Sequence, residues 1–266
     1  MRSRWRSVRL RPALAGLLLL ALTTMAAYLG DPVAVGASAQ TYQHVFVIAE
    51  ENHAYNEIVG SPSAPYINGT LIAHGALAAN YFAISHPSEP NYLALTSGSI
   101  WDNPPDNSPQ QDSYAGPNIA DELQKAGIRW RAYMEDMASA CDPNNTGNYD
   151  VNHNPFLYFT EITGNAAECG NDVPFTQMAS DLSSAATSPA FTFISPNLND
   201  DMHNGTIQQG DTWLSQQVPA IVTSPACKTS SCLVAVVWDE DDGSQNNQVA
   251  GWRPGEGVKV GTEGCL

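Results

Sequence analysis

The sequence predicts a single α/β domain with a largely parallel central sheet flanked by helices, and three observations predict it. Short apolar, β-branched runs alternate along the chain with longer stretches of helical period, the pattern of strands joined by crossover helices. Two of those runs end abruptly in concentrated polar residues, and the carboxyl ends of strands are where such sheets bind ligands. The chain has 266 residues with no internal repeat or long low-complexity linker, which suits a leader followed by one domain with a substantial core.

Residues 1–39 read as an export signal. Arg2, Arg4, Arg6, Arg9 and Arg11 form a positive n-region, residues 12–28 an apolar core, and Ala37-Ser38-Ala39 a small-x-small cleavage site before Gln40. The apolar run approaches spanning length, so an uncleaved membrane anchor is the alternative. No Cys follows the apolar core to carry a lipid. The expected location is therefore outside the cell, or on its surface if the signal stays. Residues 40–266 form the expected domain, with no stable membrane span once the signal is cleaved. Six basic residues against 26 acidic ones give it a formal charge of about −20. That balance disfavours nucleic acid and anionic membrane surfaces as partners. An anionic substrate then needs a local cation.

The first strand is expected at 44–49 (His-Val-Phe-Val-Ile-Ala). Residues 64–73 and 118–126 read as helices, the second closed by Gly127. A short strand over Trp130–Met134, a helix over 175–186 and a buried strand over 191–194 follow. Residues 211–222 read as an amphipathic helix, with Trp213, Leu214, Val218 and Ile221 as its apolar set despite Pro219. The clearest buried strand is 233–238 (Leu-Val-Ala-Val-Val-Trp). Of the cysteines, Cys141, Cys169, Cys227 and Cys232 are expected to form two disulfides in an exported protein, with Cys141–Cys169 and Cys227–Cys232 favoured. Spacing does not fix that pairing, and a zinc site competes with it, although paired CxxC spacing is absent. Cys265 is left over.

The first strand runs into Glu50-Glu51-Asn52-His53, the last into Asp239-Glu240-Asp241-Asp242-Gly243. Glu51, Asn52, Asp239 and Glu240 are hard oxygen donors that neighbouring strand ends can aim at one divalent cation: calcium, magnesium, manganese or, with histidine, zinc. A solvated acidic loop is the competing account of 239–242, and the spacing is not that of an EF-hand. In His86-Pro87-Ser88-Glu89-Pro90-Asn91-Tyr92 a proline-opened helix puts Ser88 at its mouth. There, free backbone N–H groups and the dipole favour an anion. Serine is equally a preferred N-cap. His86, His153 and His203 lie in polar loops, where they can bind phosphoryl oxygens or protonate a leaving group; singly, each reads as a structural histidine. Arg131 is the candidate to neutralise phosphate charge, with Glu135 as its competing partner. The motifs G-x-S-x-G, H-E-x-x-H and G-x-x-x-x-G-K-[ST] are absent. Metal-assisted phosphoryl transfer therefore fits better than acyl transfer.

Together these segments resemble the bacterial phosphoesterase family, which holds secreted acid phosphatases, phosphatidylinositol-3-phosphatase-like enzymes and phospholipases C. The likeness is carried by Glu51-Asn52-His53-Ala54-Tyr55, Ser63-Ala64-Pro65-Tyr66-Ile67, the stretch 86–98, residues 133–137, His153-Asn154-Pro155-Phe156, and residues 196–203 and 238–243. It implies an alkaline phosphatase-like fold, a divalent metal on Glu51, Asn52, Asp239 and Glu240, and a phosphoserine intermediate on Ser88. His86 and His203 are then expected in catalysis, and Asn91, His153 and Arg131 on the phosphate. The implied activity is that of a secreted, metal-dependent phosphomonoesterase acting on a small-molecule or lipid phosphate ester. The alternatives are a phospholipase C-type phosphodiesterase or an inactive metal-binding protein. The chain departs from the resemblance at its end. Where members continue with another apolar strand, residues 248–255 are expected to break it, and the tail reads as truncated or frame-shifted. A missing edge strand leaves backbone groups and apolar surface exposed.

Overall fold

Val45, Phe46, Val47 and Ile48 have the branched and aromatic side chains that suit a pleated, buried surface, and they form the centre of strand β1 (His44–Glu50). The computed structural model describes residues 41–102 and 104–254. The expected signal at 1–39, the tail from Gly255 and Cys265 lie outside the described residues. The other strands are β2 (Gly75–Leu77), β3 (Tyr81–Phe82), β4 (Trp130–Met134), β5 (Asp172–Pro174), β6 (Phe191–Ser195), β7 (Cys232–Trp238), β8 (Gln248–Val249) and β9 (Gly251–Pro254). Seven of them form one sheet in the order β2-β9-β7-β1-β6-β4-β5, and β3 and β8 form a separate ribbon. Pairing is parallel from β7 through β1, β6 and β4 to β5. It is antiparallel from β7 to β9 and from β9 to β2. The main helices are α1 (Ser88–Ser97), α2 (Ile119–Lys125), α3 (Ile207–Val222) and α4 (Pro225–Thr229). The α/β architecture with a mostly parallel sheet is as expected.

The sheet has an apolar layer on each face. Phe46, Ile48, Val234 and Val236 meet Leu214, Val218 and Ile221 of α3. Across the sheet, Phe193 and Ala132 lie with Tyr92 and Leu93 of α1 and with Phe156 and Tyr158. α2 opens on Asn118, whose side-chain oxygen accepts from Asp121 N at 3.0 Å, and it stops before Gly127 at φ +69°. α3 begins earlier than the apolar pattern, because Thr206 Oγ1 caps Gln209 N and Ile207 in the first turn packs against the core. The helix expected at 64–73 is present but widens into a π-helix over Ile67–Ile72. The helix expected at 175–186 reduces to a 3-10 turn at Phe175–Gln177 and one turn at Met178–Asp181. Beyond it, Thr187 Oγ1 donates to Asp181 O at 2.7 Å and pairs with Ser184 Oγ at 2.8 Å. Such side-chain bonds offer the backbone an alternative to the helix.

The end of the chain also differs from expectation. Residues 248–254 do not break the sheet: β8 pairs with β3, and β9 pairs with β7 through Val236–Trp252 and Val237–Gly251. β7 is therefore not left as an open edge. Trp252 is buried, and its indole N–H donates to Leu71 O. Gly251 admits the Tyr81 ring, which a Cβ there would meet at 3.2 Å. Both favoured disulfides form, Cys141–Cys169 and Cys227–Cys232, so the zinc alternative for these sulfurs falls.

Asp172 on β5 is wholly buried, with Oδ2 accepting from Asn154 Nδ2 at 2.8 Å. Burial pushes its carboxyl up to about 7, with the Asn154 bond pulling it down and Asp142 pushing it further up. A raised native pKa means that the folded chain holds a proton the unfolded chain has released. The stabilisation is complete below the unfolded value of 3.8 and is lost as pH rises through about 7. Asp172→Asn is expected to flatten that part of the pH–stability curve, whose full height is about 4 kcal/mol from this one group. Thermal melts from about pH 4 to about pH 8, which span the two pKa values, check it; an unchanged slope refutes it.

Candidate active site

β1 and β7 are neighbours in register, Glu50 opposite Trp238, so Glu51 and Asp239 leave the sheet together. Asp239 N donates to Glu50 O at 3.0 Å and Glu51 N to Asp201 O at 2.9 Å, which fixes both strand exits. The first turn of α1 abuts them. Ser88 Oγ donates to Glu51 Oε2 at 3.2 Å and lies 3.5 Å from Glu240 Oε1. Asn91, one turn along α1, directs Nδ2 at Glu240 Oε2 (3.3 Å), while its Oδ1 accepts from Ile84 N and Ser85 N. His86 bridges two acids, with Nδ1 2.9 Å from Glu240 Oε2 and Nε2 3.2 Å from Asp241 Oδ1. His153 Nε2 is 3.4 Å from Glu51 Oε1, and its ring centre is 5.6 Å from that of His203.

Nine of the ten residues singled out in the sequence thus lie at these strand and helix ends, with Asn52 next to Glu51 at φ +47°. Arg131 does not, and its expected contact with phosphate is corrected. It is opposite Thr192, which is opposite Phe46, so it sits four residues before the end of the sheet, about 13 Å away along a strand. Its guanidinium is occupied by Gly170 O, Asn171 Oδ1 and, at 3.6 Å, Asp181.

Two residues of the site carried no signal that singled them out. Asp201, fully buried, accepts from His203 N at 2.8 Å on Oδ1 and faces His153 Nδ1 at 3.2 Å on Oδ2. Tyr92 stacks flat on His153, ring centres 5.2 Å apart. The available hints were Asp201 two residues before His203, and Tyr92 one helical turn after Ser88.

The charges here are poorly matched. Glu51, Asp239 and Glu240 are buried beside one another. Burial, then Asp239 and Asp201, holds the Glu51 carboxyl well above the usual range. Burial and then Asp239 push Glu240 up to about 8. Burial raises Asp239 to about 6 against the pull of His153. Burial is the largest influence on His153 and disfavours its cation, but the bond to Asp201 and the charges of Asp201, Asp150 and Asp239 together outweigh it, and the net shift is upward. Glu51 Oε1, Asn52 Oδ1 and both Asp239 oxygens are buried without a hydrogen-bond partner. Orphaned acceptors of this kind are rare in folded proteins, and an all-oxygen set of this charge fits a divalent cation. A second grouping shares Glu51: donor atoms of Glu51, His153 and His203 lie within 4.8 Å of one another.

The loop that carries Asp201 and His203 is closed by a glycine. A Cβ at Gly205 would sit 1.9 Å from Asn199 O, so Gly205→Ala must push that loop open. The expected result is a loss of about 2 kcal/mol, a midpoint about 5 °C lower in a melt, together with reduced activity. A variant with unchanged midpoint and activity refutes it.

Residues 63–261 match the Phosphoesterase family. The chain belongs to that family. This phosphoesterase is 36% identical over 258 residues to a protein of Mycobacterium tuberculosis named phosphatidylinositol-3-phosphatase, covering 96% of this chain and 83% of the relative. It is 28% identical over 209 residues to a probable acid phosphatase of Kluyveromyces lactis, covering 76% of this chain but 48% of that protein. The family and these names make it a hydrolase of phosphate esters. Among solved structures, lipoteichoic acid synthase LtaP of Listeria monocytogenes aligns with a TM-score of 0.54 over 81% of this chain and 66% of its own, at 10% identity. That likeness is one of fold. No helix among the described residues is long and apolar enough to cross a membrane.

Proposed function

We propose that this chain is an exported, metal-dependent phosphomonoesterase that works through a phosphoserine on Ser88. The observation that carries the reading is the Ser88 hydroxyl at the start of α1, held against Glu51 and Glu240 beside orphaned buried acceptors. Glu51, Asn52, Asp239 and Glu240 would hold a divalent cation, which when bound lowers the pKa of a hydroxyl and balances phosphoryl charge. Ser88 Oγ gives its proton to Glu51 Oε2, its hydrogen-bond acceptor, and forms a bond to phosphorus as the ester P–O bond breaks. The N-terminus of α1 favours the phosphoryl anion, and Asn91 Nδ2 is placed to donate to it. His86, half-exposed at the mouth between Glu240 and Asp241, or His203, supplies the leaving oxygen with its proton. The same histidine then takes a proton from the water that attacks phosphorus, and the Ser88 O–P bond breaks as Glu51 returns its proton to Ser88 Oγ. Asp201 and Tyr92 hold the His153 ring for contact with phosphoryl oxygens.

The names of the relatives support a lipid or small-molecule monoester as substrate, and the Arg-rich leader with two disulfides supports export. The grouping of Glu51 with His153 and His203 favours a second seat for the cation. Loss of cation affinity in His203→Ala but not Asn52→Ala would choose that seat. The function itself is tested with an aryl phosphate, with and without chelator, and with the acid-quenched protein examined by mass spectrometry. Chelator-sensitive release restored by added cation, with phosphate trapped on Ser88, is expected. Folded protein that releases nothing overturns the reading, and faster cleavage of a diester than a monoester replaces it with the phospholipase C type.

A further inference from the structure

Burial alternates strictly along the segment that leads into α1. Tyr81, Ala83 and Ser85 are half-buried, whereas Phe82, Ile84 and His86 are exposed. Successive side chains of an extended backbone point to opposite faces, so the exposed three share one side. The inward set fixes the segment. Tyr81 and Ala83 pack on the core, and Tyr81 and Phe82 pair with Val249 and Gln248. Ala83 N donates to Asn247 O at 2.9 Å, and Ser85 O accepts from Asn247 Nδ2 at 2.7 Å. Ile84 N and Ser85 N bind Asn91 Oδ1, so the segment is tied to the residue that faces Glu240.

Single exposed apolar side chains need no explanation. Here Phe82 is 48% and Ile84 65% exposed, two of the three exposed large hydrophobics among the described residues. Both stand on one fixed row whose far member, His86, reaches Glu240 and Asp241 in the site. The row from Phe82 to His86 is about 13 Å long. We infer that Phe82 and Ile84 form an apolar strip that binds the hydrocarbon part of an amphiphilic phosphate ester whose phosphoryl group lies at Ser88. This rests on the phosphomonoesterase reading of the site and adds to it the residues that would hold the apolar part of the substrate. The strongly acidic domain disfavours an anionic bilayer as the occupant, so the strip serves a single amphiphile.

Each methylene fully buried tightens binding by about fourfold, so an eight-carbon chain partly covered by the strip is worth about tenfold or more. Calorimetric titration of the metal-loaded chain with methylphosphonate and octylphosphonate, below micelle-forming concentrations, reads this without turnover. The octyl compound is expected to bind at least about tenfold tighter. The ratio falls to about threefold or less in Phe82→Ser/Ile84→Ser, with Ile84→Ser alone in between. Equal affinities, or a ratio that survives both substitutions, overturn the strip. So does sedimentation showing that wild type self-associates and the double variant does not, because the row is then an interface between copies. Hydrolysis of methyl and octyl phosphate is followed in parallel. A chain-length preference in binding without cleavage of either ester sinks the phosphatase reading and leaves the strip standing.

Discussion

Ser88→Ala will reduce kcat by at least about a thousandfold while leaving the fold and the cation affinity in place. The hydroxyl is the one alcohol oxygen among the carboxyl groups of Glu51, Glu240 and Asp239, and it is 3% exposed at the start of a helix. Alanine removes the atom that bonds to phosphorus and changes little else, since Pro87, Pro90 and the carbonyls bound by Asn91 still set the turn. One hydrogen bond to Glu51 is lost, worth about 1–3 kcal/mol. The melting midpoint therefore moves by a few degrees and not by a collapse of the site. Steady-state rates on an aryl phosphate, with calorimetric cation binding on the same protein, check both halves. Turnover kept within about tenfold would mean that another group, or water itself, attacks phosphorus.

Much of the fold was legible because strong local patterns and tertiary context agreed. Val-Phe-Val-Ile and Leu-Val-Ala-Val-Val lie at the sheet centre, where their β-branched runs indicate. The site was legible for the same reason: strands that end in Glu50-Glu51-Asn52 and Asp239-Glu240 can place those acids only at the sheet's carboxyl edge. What escaped was set by distant partners. Gln248 to Trp252 has weak strand character of its own, and it is held by β3, by β7 and by the Leu71 carbonyl. Arg131 belongs to a correctly placed strand, yet its distance from the site follows from its register with Thr192 and Phe46, which no local pattern encodes. Asp201 sits beside Asp200 in the sequence, and only the folded loop turns one of them to the histidines.

Removing divalent cations will lower the melting midpoint by about 5–10 °C, and Asp239→Asn will reverse part of that loss while erasing the response to cation. Both Asp239 oxygens are buried without a partner, and Glu51 and Glu240 crowd the same space. An unpaired buried charge is strongly destabilising, and a partner of opposite sign offsets it. A cation at about a hundred times its dissociation constant contributes about 2.7 kcal/mol through linkage alone, which for a domain of this size is most of the expected shift. Asparagine keeps the shape of Asp239 and removes one of the mutually repelling charges, so the chelated variant should melt above chelated wild type. Because the charge that attracts the cation is gone, its melt should scarcely move when cation is added. A purely structural role for Asp239 makes the opposite prediction, a variant less stable than wild type with chelator and still raised by cation. Paired melts of the two proteins, each with chelator and with excess calcium, magnesium, manganese or zinc, separate these outcomes and show which ion the site takes.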